Sequence, residues 1–167
     1  RSEGWFGLYG LARGENGLGV WVGSRTSAAG TENRIQNART GIRLRRTGRV
    51  SLRRNTLTNN RVHGVGIGTD SREIRIDARN NSIIDNGRNG IAVSGWRVSS
   101  GQVRGNEISR NAETGIAIQT DDWTRGLAVR AHTLADNGGH GHQLPHNLLV
   151  SGVPVTGNQF PHHAGSA

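Results

Sequence analysis

The chain has no cysteine, no methionine and no lysine, only three prolines, and seven aromatic residues in 167. Without cysteine it has no disulfide framework, no thiolate metal site and no cysteine nucleophile. No run approaches the roughly 18 consecutive apolar residues of a membrane-spanning helix. The opening residues, Arg1 to Trp5, carry no signal-peptide core. The missing Met points to a mature or excised piece of a longer protein. Leu, Ile, Val and Phe together make 36 residues, just above the roughly 20% level below which a charged chain reads as disordered. What the chain has in quantity is glycine, 26 residues, and arginine, which supplies all 21 basic residues against 12 acidic ones. Turns are therefore expected to be frequent and long helices few.

A net charge of +9 raises the question of a polyanionic partner. The exclusive use of arginine is a compositional bias, so position says more than number. Between Glu32 and Asp70 there is no acidic residue, while Arg34, Arg39, Arg43, Arg45, Arg46, Arg49, Arg53, Arg54 and Arg61 fall in that window. This belt is either a solvated basic face or an anion site. Single-stranded nucleic acid is disfavoured, because the aromatic platforms on which bases stack are nearly absent.

A repeat runs through the chain. One asparagine column reads Asn33, Asn55, Asn81, Asn106, then His132 and Asn158, with an aliphatic or Phe two residues later: Ile35, Leu57, Ile83, Ile108, Leu134, Phe160. A glycine column reads Gly19, Gly41, Gly64, Gly90, Gly115, Gly141. After each glycine the apolar residues alternate, as in Val20 and Val22, Ile42 and Leu44, Val65 and Ile67, which is the period of a strand with one buried face. Short strands recurring every 22 to 26 residues predict an all-β parallel β-helix of about six coils. Residues 1–18 are expected to form an N-terminal cap or partial coil, and residues 19–167 the repeats. Nothing near Ala167 looks like a polar cap, so further coils or a partner subunit are expected to cover that end.

The asparagines have a structural rationale. An amide side chain both donates and accepts, so identical asparagines on successive coils can bond in a ladder along the axis. A second column, Asn60, Asn86, Asn111 and Asn137, precedes glycine-containing turns and is expected to take the left-handed backbone conformation.

The segments "NNSIIDNGRNGIAV" (80–93) and "RGNEISRNAETGIAI" (104–118) resemble the repeats of right-handed parallel β-helix proteins of the pectate-lyase-like superfamily. The resemblance covers about residues 19–163. It implies a right-handed winding and a bias toward long, often acidic, polysaccharides, with uronate lyases, C5-epimerases, tailspikes and surface-protein stalks among the members. An Asp-Pro-His segment like that of the mannuronan epimerases is absent, since Pro145, Pro154 and Pro161 follow Leu144, Val153 and Phe160. Asp70, the Asp121-Asp122 pair and Gly139-His140-Gly141 occur in the order of a polygalacturonase site, but His140 precedes its strand whereas Asp121 and Asp122 follow theirs.

In this resembling fold the substrate lies along the outer side of the glycine-led strands. The expected trough has small residues in its middle and Arg43 and Arg45 at one end, to neutralise a sugar carboxylate, with His63 as the proton-transfer candidate. Ser94, Gln119, Trp96 and Trp123 are the candidates for substrate binding, the tryptophans by stacking on sugar faces. Asp70, Asp121 and Asp122 are candidate Ca²⁺ ligands, against a plain role in turns. His140, His142 and His146 are a weaker metal candidate, because His142 falls in a column that points inward. The expected function is a carbohydrate-active or carbohydrate-binding β-helix acting on anionic polysaccharide, as a uronate lyase or C5-epimerase. The alternative is a non-catalytic structural or adhesive β-helix. Either role implies an extracellular, periplasmic or virion-surface location.

Overall fold

The computed structural model describes residues 3–6, 19–23, 27–45, 48–120, 126–143 and 155–156. They form strands and tight corners only. No helix of the described residues is long and apolar enough to cross a membrane.

The strands fall on three parallel faces. The glycine-led face contains β2 (Val20–Gly23), β5 (Ile42–Arg45), the first part of β8 (Val65–Arg79), the first part of β10 (Ile91–Arg104), β12 (Ile116–Thr120) and β15 (His142–Gln143). The second face contains β1 (Glu3–Phe6), β3 (Ser27–Thr31), β6 (Arg49–Arg53), the later parts of β8 and β10, β13 (Leu127–Arg130) and β16 (Val155–Thr156). β8 and β10 run on through the corner between these two faces. Register shifts at Gly95/Arg97 and Val98/Ser100 absorb the bend. The third face is a five-stranded sheet of β4 (Arg34–Gln36), β7 (Thr56–Thr58), β9 (Ser82–Ile84), β11 (Glu107–Ser109) and β14 (Thr133–Ala135). From β4 to β14 the chain completes about four turns rather than the expected six. The sixth repeat is described only at β15 and β16.

Register agrees with the repeat. Val20, Ile42, Val65, Ile91 and Ile116 are paired in sequence along one inner column. Ile35, Leu57, Ile83, Ile108 and Leu134 form another on the third face. All ten are buried. At roughly 2 kcal/mol for each large aliphatic side chain removed from water, these columns supply a large part of the apolar contribution to the fold, beside further inner columns such as that of Leu44, Ile67, Val93 and Ile118. One inner position departs from the pattern. Gly101 stands between Ile76 and Leu127 at φ +148°, where an added Cβ would lie 1.9 Å from the Ile76 carbonyl oxygen.

Both asparagine ladders form. Asn33 Nδ2 donates to Asn55 Oδ1 at 2.8 Å, Asn55 to Asn81 at 2.9 Å, and Asn81 to Asn106 at 2.8 Å. The second ladder runs Asn60, Asn86, Asn111, Asn137 with bonds of 2.9, 2.8 and 2.9 Å. The left-handed conformation, however, belongs to the residue before each ladder position. Arg54, Asn59, Asn80, Asp85, Arg110 and Asp136 have φ between 52° and 57°, while the ladder asparagines do not have positive φ. The ladder asparagine must be turned inward to reach its neighbours, and the chain reverses at the preceding residue, whose side chain points outward, to allow it. The buried amide bonds offset the cost of holding non-glycine residues in that conformation.

His132 takes the fifth place in the first ladder. Its Nδ1 accepts from the Asn106 backbone N–H at 3.2 Å and its Nε2 stands 2.8 Å from the Val103 carbonyl oxygen. The tautomer that suits both contacts carries its proton on Nε2. Burial, the largest effect, lowers the His132 pKa, against the opposing pull of the Val103 and Asn106 backbone. With the folded pKa below the unfolded value, His132 contributes stability that is present above about pH 6.5 and is lost as pH falls toward the folded pKa. His63 shifts in the same direction. The thermal midpoint is expected to drop between about pH 7.5 and pH 5, and the drop to be smaller in His132→Asn. An unchanged pH slope in that variant would contradict this role.

Candidate functional site

The repeat forces a polar rim onto the glycine-led face. The residue before each column glycine is Thr40, His63, Asn89, Thr114 and His140 in successive coils. The glycines themselves have no room for a side chain. A Cβ on Gly64 would lie 2.3 Å from Ile83 Cγ2 and 2.9 Å from the Gly90 carbonyl oxygen. The rim residues therefore enter the face at a fixed height. Asn89 Nδ2 donates to Glu113 Oε2 at 3.1 Å, its Oδ1 accepts from the Thr114 backbone N–H at 2.9 Å, and Arg88 Nε lies 3.5 Å from Glu113 Oε1.

Beside this rim lies a depression of about 220 Å³ lined by Thr40, Arg43, Arg45, Val62, His63, Gly66, Ile67, Gly68, Ala92 and Ser94. Its floor follows from register. Gly66 stands between Arg43 and Ala92, and Gly68 between Arg45 and Ser94. Neither glycine is needed for backbone reasons. A Cβ on Gly66 would find Thr40 Cγ2 at 3.5 Å and His63 Cδ2 at 3.8 Å, and one on Gly68 would find Arg45 Cγ at 3.8 Å. These are ordinary contacts, so the two glycines leave space rather than relieve strain.

His63 is half-buried at the side of the depression, and its Nδ1 is buried with no hydrogen-bond partner among the described residues. An unpaired buried ring nitrogen is costly and uncommon. Burial is the main cause of its lowered pKa; Glu113 raises it, Arg88 and Arg43 lower it, and the Asn89 backbone raises it. The imidazole is thus held neutral, as a base rather than an acid. Arg43 is half-buried and has no ion pair among the described residues, so its charge faces the depression uncompensated.

Four of the sequence-derived candidates, Arg43, Arg45, His63 and Ser94, come together here. Gln119 is exposed and does not line the depression. Ala117, which belongs to the same outer row as Gly66 and Ala92, is buried. Asp121, Asp122 and Trp123 lie outside the described residues, as do the side chains of Asp70 and Trp96 and the whole of His146. Among the described residues no group of three acidic or histidine side chains could hold a metal ion. Thr40 was not anticipated, although the polar column before the glycines carried the signal.

The model of the right-handed β-helix region matches residues 12–130. The chain belongs to the right-handed β-helix family. Comparison with curated proteins and with solved structures gives no match. As in any β-helix, the outer residues of this one are free of the demands that fix the inner columns, so Arg43, without an ion pair among the described residues, and the orphaned His63 nitrogen call for a reason outside the fold.

Proposed function

We propose that this β-helix binds an acidic polysaccharide in the depression on its glycine-led face and acts on it by proton abstraction next to a uronate carboxylate. The supporting observation is the neutral His63, with an unpaired ring nitrogen, beside Arg43 and Arg45 over a floor of glycine. A half-turn of the imidazole exchanges Nδ1 with Cδ2, the atom nearest Gly66. The unpaired nitrogen then faces the depression and a C–H takes the buried place.

A uronate bound with its carboxylate on Arg43 and Arg45 gains charge-assisted hydrogen bonds, and its C5 proton becomes more acidic because the arginines stabilise the charge that builds on the carboxylate. His63 accepts that proton. The electron pair forms the C4–C5 double bond as the glycosidic oxygen leaves C4, and the imidazolium returns the proton to the departing oxygen. One base suffices for this elimination, whereas epimerisation needs a second acid on the opposite side of the ring. Among the residues lining the depression His63 is the sole acid–base candidate, which favours elimination over epimerisation. Such a role places the protein outside the cell, in the periplasm or on a virion.

The test is incubation with polygalacturonate and alginate. Unsaturated uronate ends are expected to appear, to fall at least about a hundredfold in His63→Ala, and to vanish in Arg43→Gln/Arg45→Gln together with binding of a uronate disaccharide. Gly66→Leu fills the depression and is expected to abolish binding of a uronate disaccharide without changing the unfolding midpoint. Binding without unsaturated ends would leave a non-catalytic adhesive β-helix. Disaccharide binding that survives both the double arginine variant and Gly66→Leu would rule the depression out.

A further inference from the structure

The basic belt seen in the sequence does not stay together in space, but another basic line forms from residues far apart in the chain. Register on the second face pairs Arg53 with Arg79, Arg79 with Arg104, and Arg104 with Arg130. These four stand one above another on successive coils, each at the end of its strand and just before a corner. With strands about 4.8 Å apart, four guanidinium groups follow the solenoid axis in a row. Arg49 and Arg75 make a second, shorter row on the same face.

Charge compensation on this face is slight. Among the described side chains, Asp77 is the one acidic residue at the outward positions of this face in β6, β8, β10 and β13. It bonds Arg53 Nη2 at 2.7 Å and also bonds Arg79 Nε. Arg104 and Arg130 are exposed and have no carboxylate partner among the described residues. Like charges opposite one another on neighbouring strands oppose folding, and nothing in the inner columns requires arginine at these outward positions.

We infer that the arginine row Arg53–Arg79–Arg104–Arg130 is a second binding site, which takes a linear polyuronate laid parallel to the solenoid axis. The occupant follows from spacing and from what the face carries. A polyuronate bears one carboxylate per sugar ring, and the ring repeat is close to the separation of adjacent strands; in a two-fold extended chain the carboxylates alternate in side, so those facing the protein recur at about two strand spacings and meet every second arginine of the row. Single-stranded nucleic acid gains much of its affinity from stacking on aromatic rings, and no outward position of these strands among the described side chains is aromatic. The row lies on a different face from the depression that holds His63. It can tether a long chain while the other face engages a short stretch, and neither site depends on the other.

The test uses the full chain, a fluorescent oligogalacturonate long enough to span the four arginines, and the unlabelled disaccharide. Arg104→Gln/Arg130→Gln is expected to weaken the long oligomer at least about tenfold and to flatten its salt dependence, because fewer counterions are released. Disaccharide binding is expected to stay unchanged in that variant. Arg104→Lys/Arg130→Lys, which keeps the charge, is expected to retain most of the affinity and of the salt slope. Gly66→Leu is expected to remove disaccharide binding while long-oligomer binding keeps its salt dependence, so the two sites fail separately. Unchanged affinity and salt slope in the Gln double variant would overturn the site. Tighter binding of oligothymidylate than of oligogalacturonate, lost in the same variant, would overturn the choice of glycan.

Discussion

Asn81→Leu is expected to lower the free energy of unfolding by about 4 kcal/mol, since each buried polar group left unpaired costs roughly 1–3 kcal/mol. Asn81 is buried at the middle of its ladder. Its Oδ1 accepts from both the backbone N–H and the Nδ2 of Asn55, and its Nδ2 donates to Asn106 Oδ1 and to the Leu52 carbonyl oxygen. Leucine is similar in volume but can replace none of these bonds, and it leaves the Asn55 N–H and the Leu52 carbonyl in an apolar interior. The neighbouring Asn80, exposed at φ 53°, is the control. Asn80→Gly removes no ladder bond and relieves the left-handed conformation, so its stability is expected to change by less than about 1 kcal/mol. Urea titrations of the two variants make the comparison. A loss below about 1 kcal/mol in Asn81→Leu would mean that the ladder is incidental.

Gly90→Ala is expected to cost about 3 kcal/mol, at the upper end for forcing one extra carbon into a packed interior. The added Cβ would stand 2.4 Å from Ile108 Cγ2, 2.7 Å from the Gly115 carbonyl oxygen and 3.1 Å from Asn111 Nδ2. Ile108 is an inner-column side chain and Asn111 a ladder residue, so neither can move without disturbing the next coil. Gly66→Ala is the matched control, because its nearest new contact is 3.5 Å, and a change within about 0.5 kcal/mol is expected, as for surface substitutions in general. Two glycines in adjacent coils of one repeat thus differ in purpose. One is fixed by packing and the other keeps a depression open. Equal losses in the two variants, read from thermal or urea unfolding, would contradict that division.

The inner part of the fold was legible in the sequence because every coil writes the same rule. Val20, Ile42, Val65, Ile91 and Ile116 recur at the spacing that register then pairs, and the asparagine columns recur for the same reason. The left-handed residues were harder to locate. Arg54, Asn80, Asp85 and Arg110 have no single side-chain type in common, and the position is defined by backbone geometry that the adjacent, uniform asparagine imposes. The depression was legible in outline, since alternation places Arg43, Arg45 and Ser94 outward. His63 belongs to it because it precedes a column glycine. The arginine row was not legible as a local run. Its four members are separated by whole coils, and the dense belt between Glu32 and Asp70 drew the eye to residues that the winding then distributes among several faces. Charge clusters in a solenoid form across coils rather than along the chain.

The most direct measurement is a titration of isotopically labelled protein with a short oligogalacturonate, following the imidazole nitrogens of His63 by NMR, in the unaltered chain and in Gly66→Leu. Saturable shifts at His63 are expected with the acidic oligosaccharide, none with a neutral glucan of equal length, and none in Gly66→Leu. If oligogalacturonate binds the unaltered chain and the His63 nitrogens do not respond, the depression is not where the acidic sugar sits.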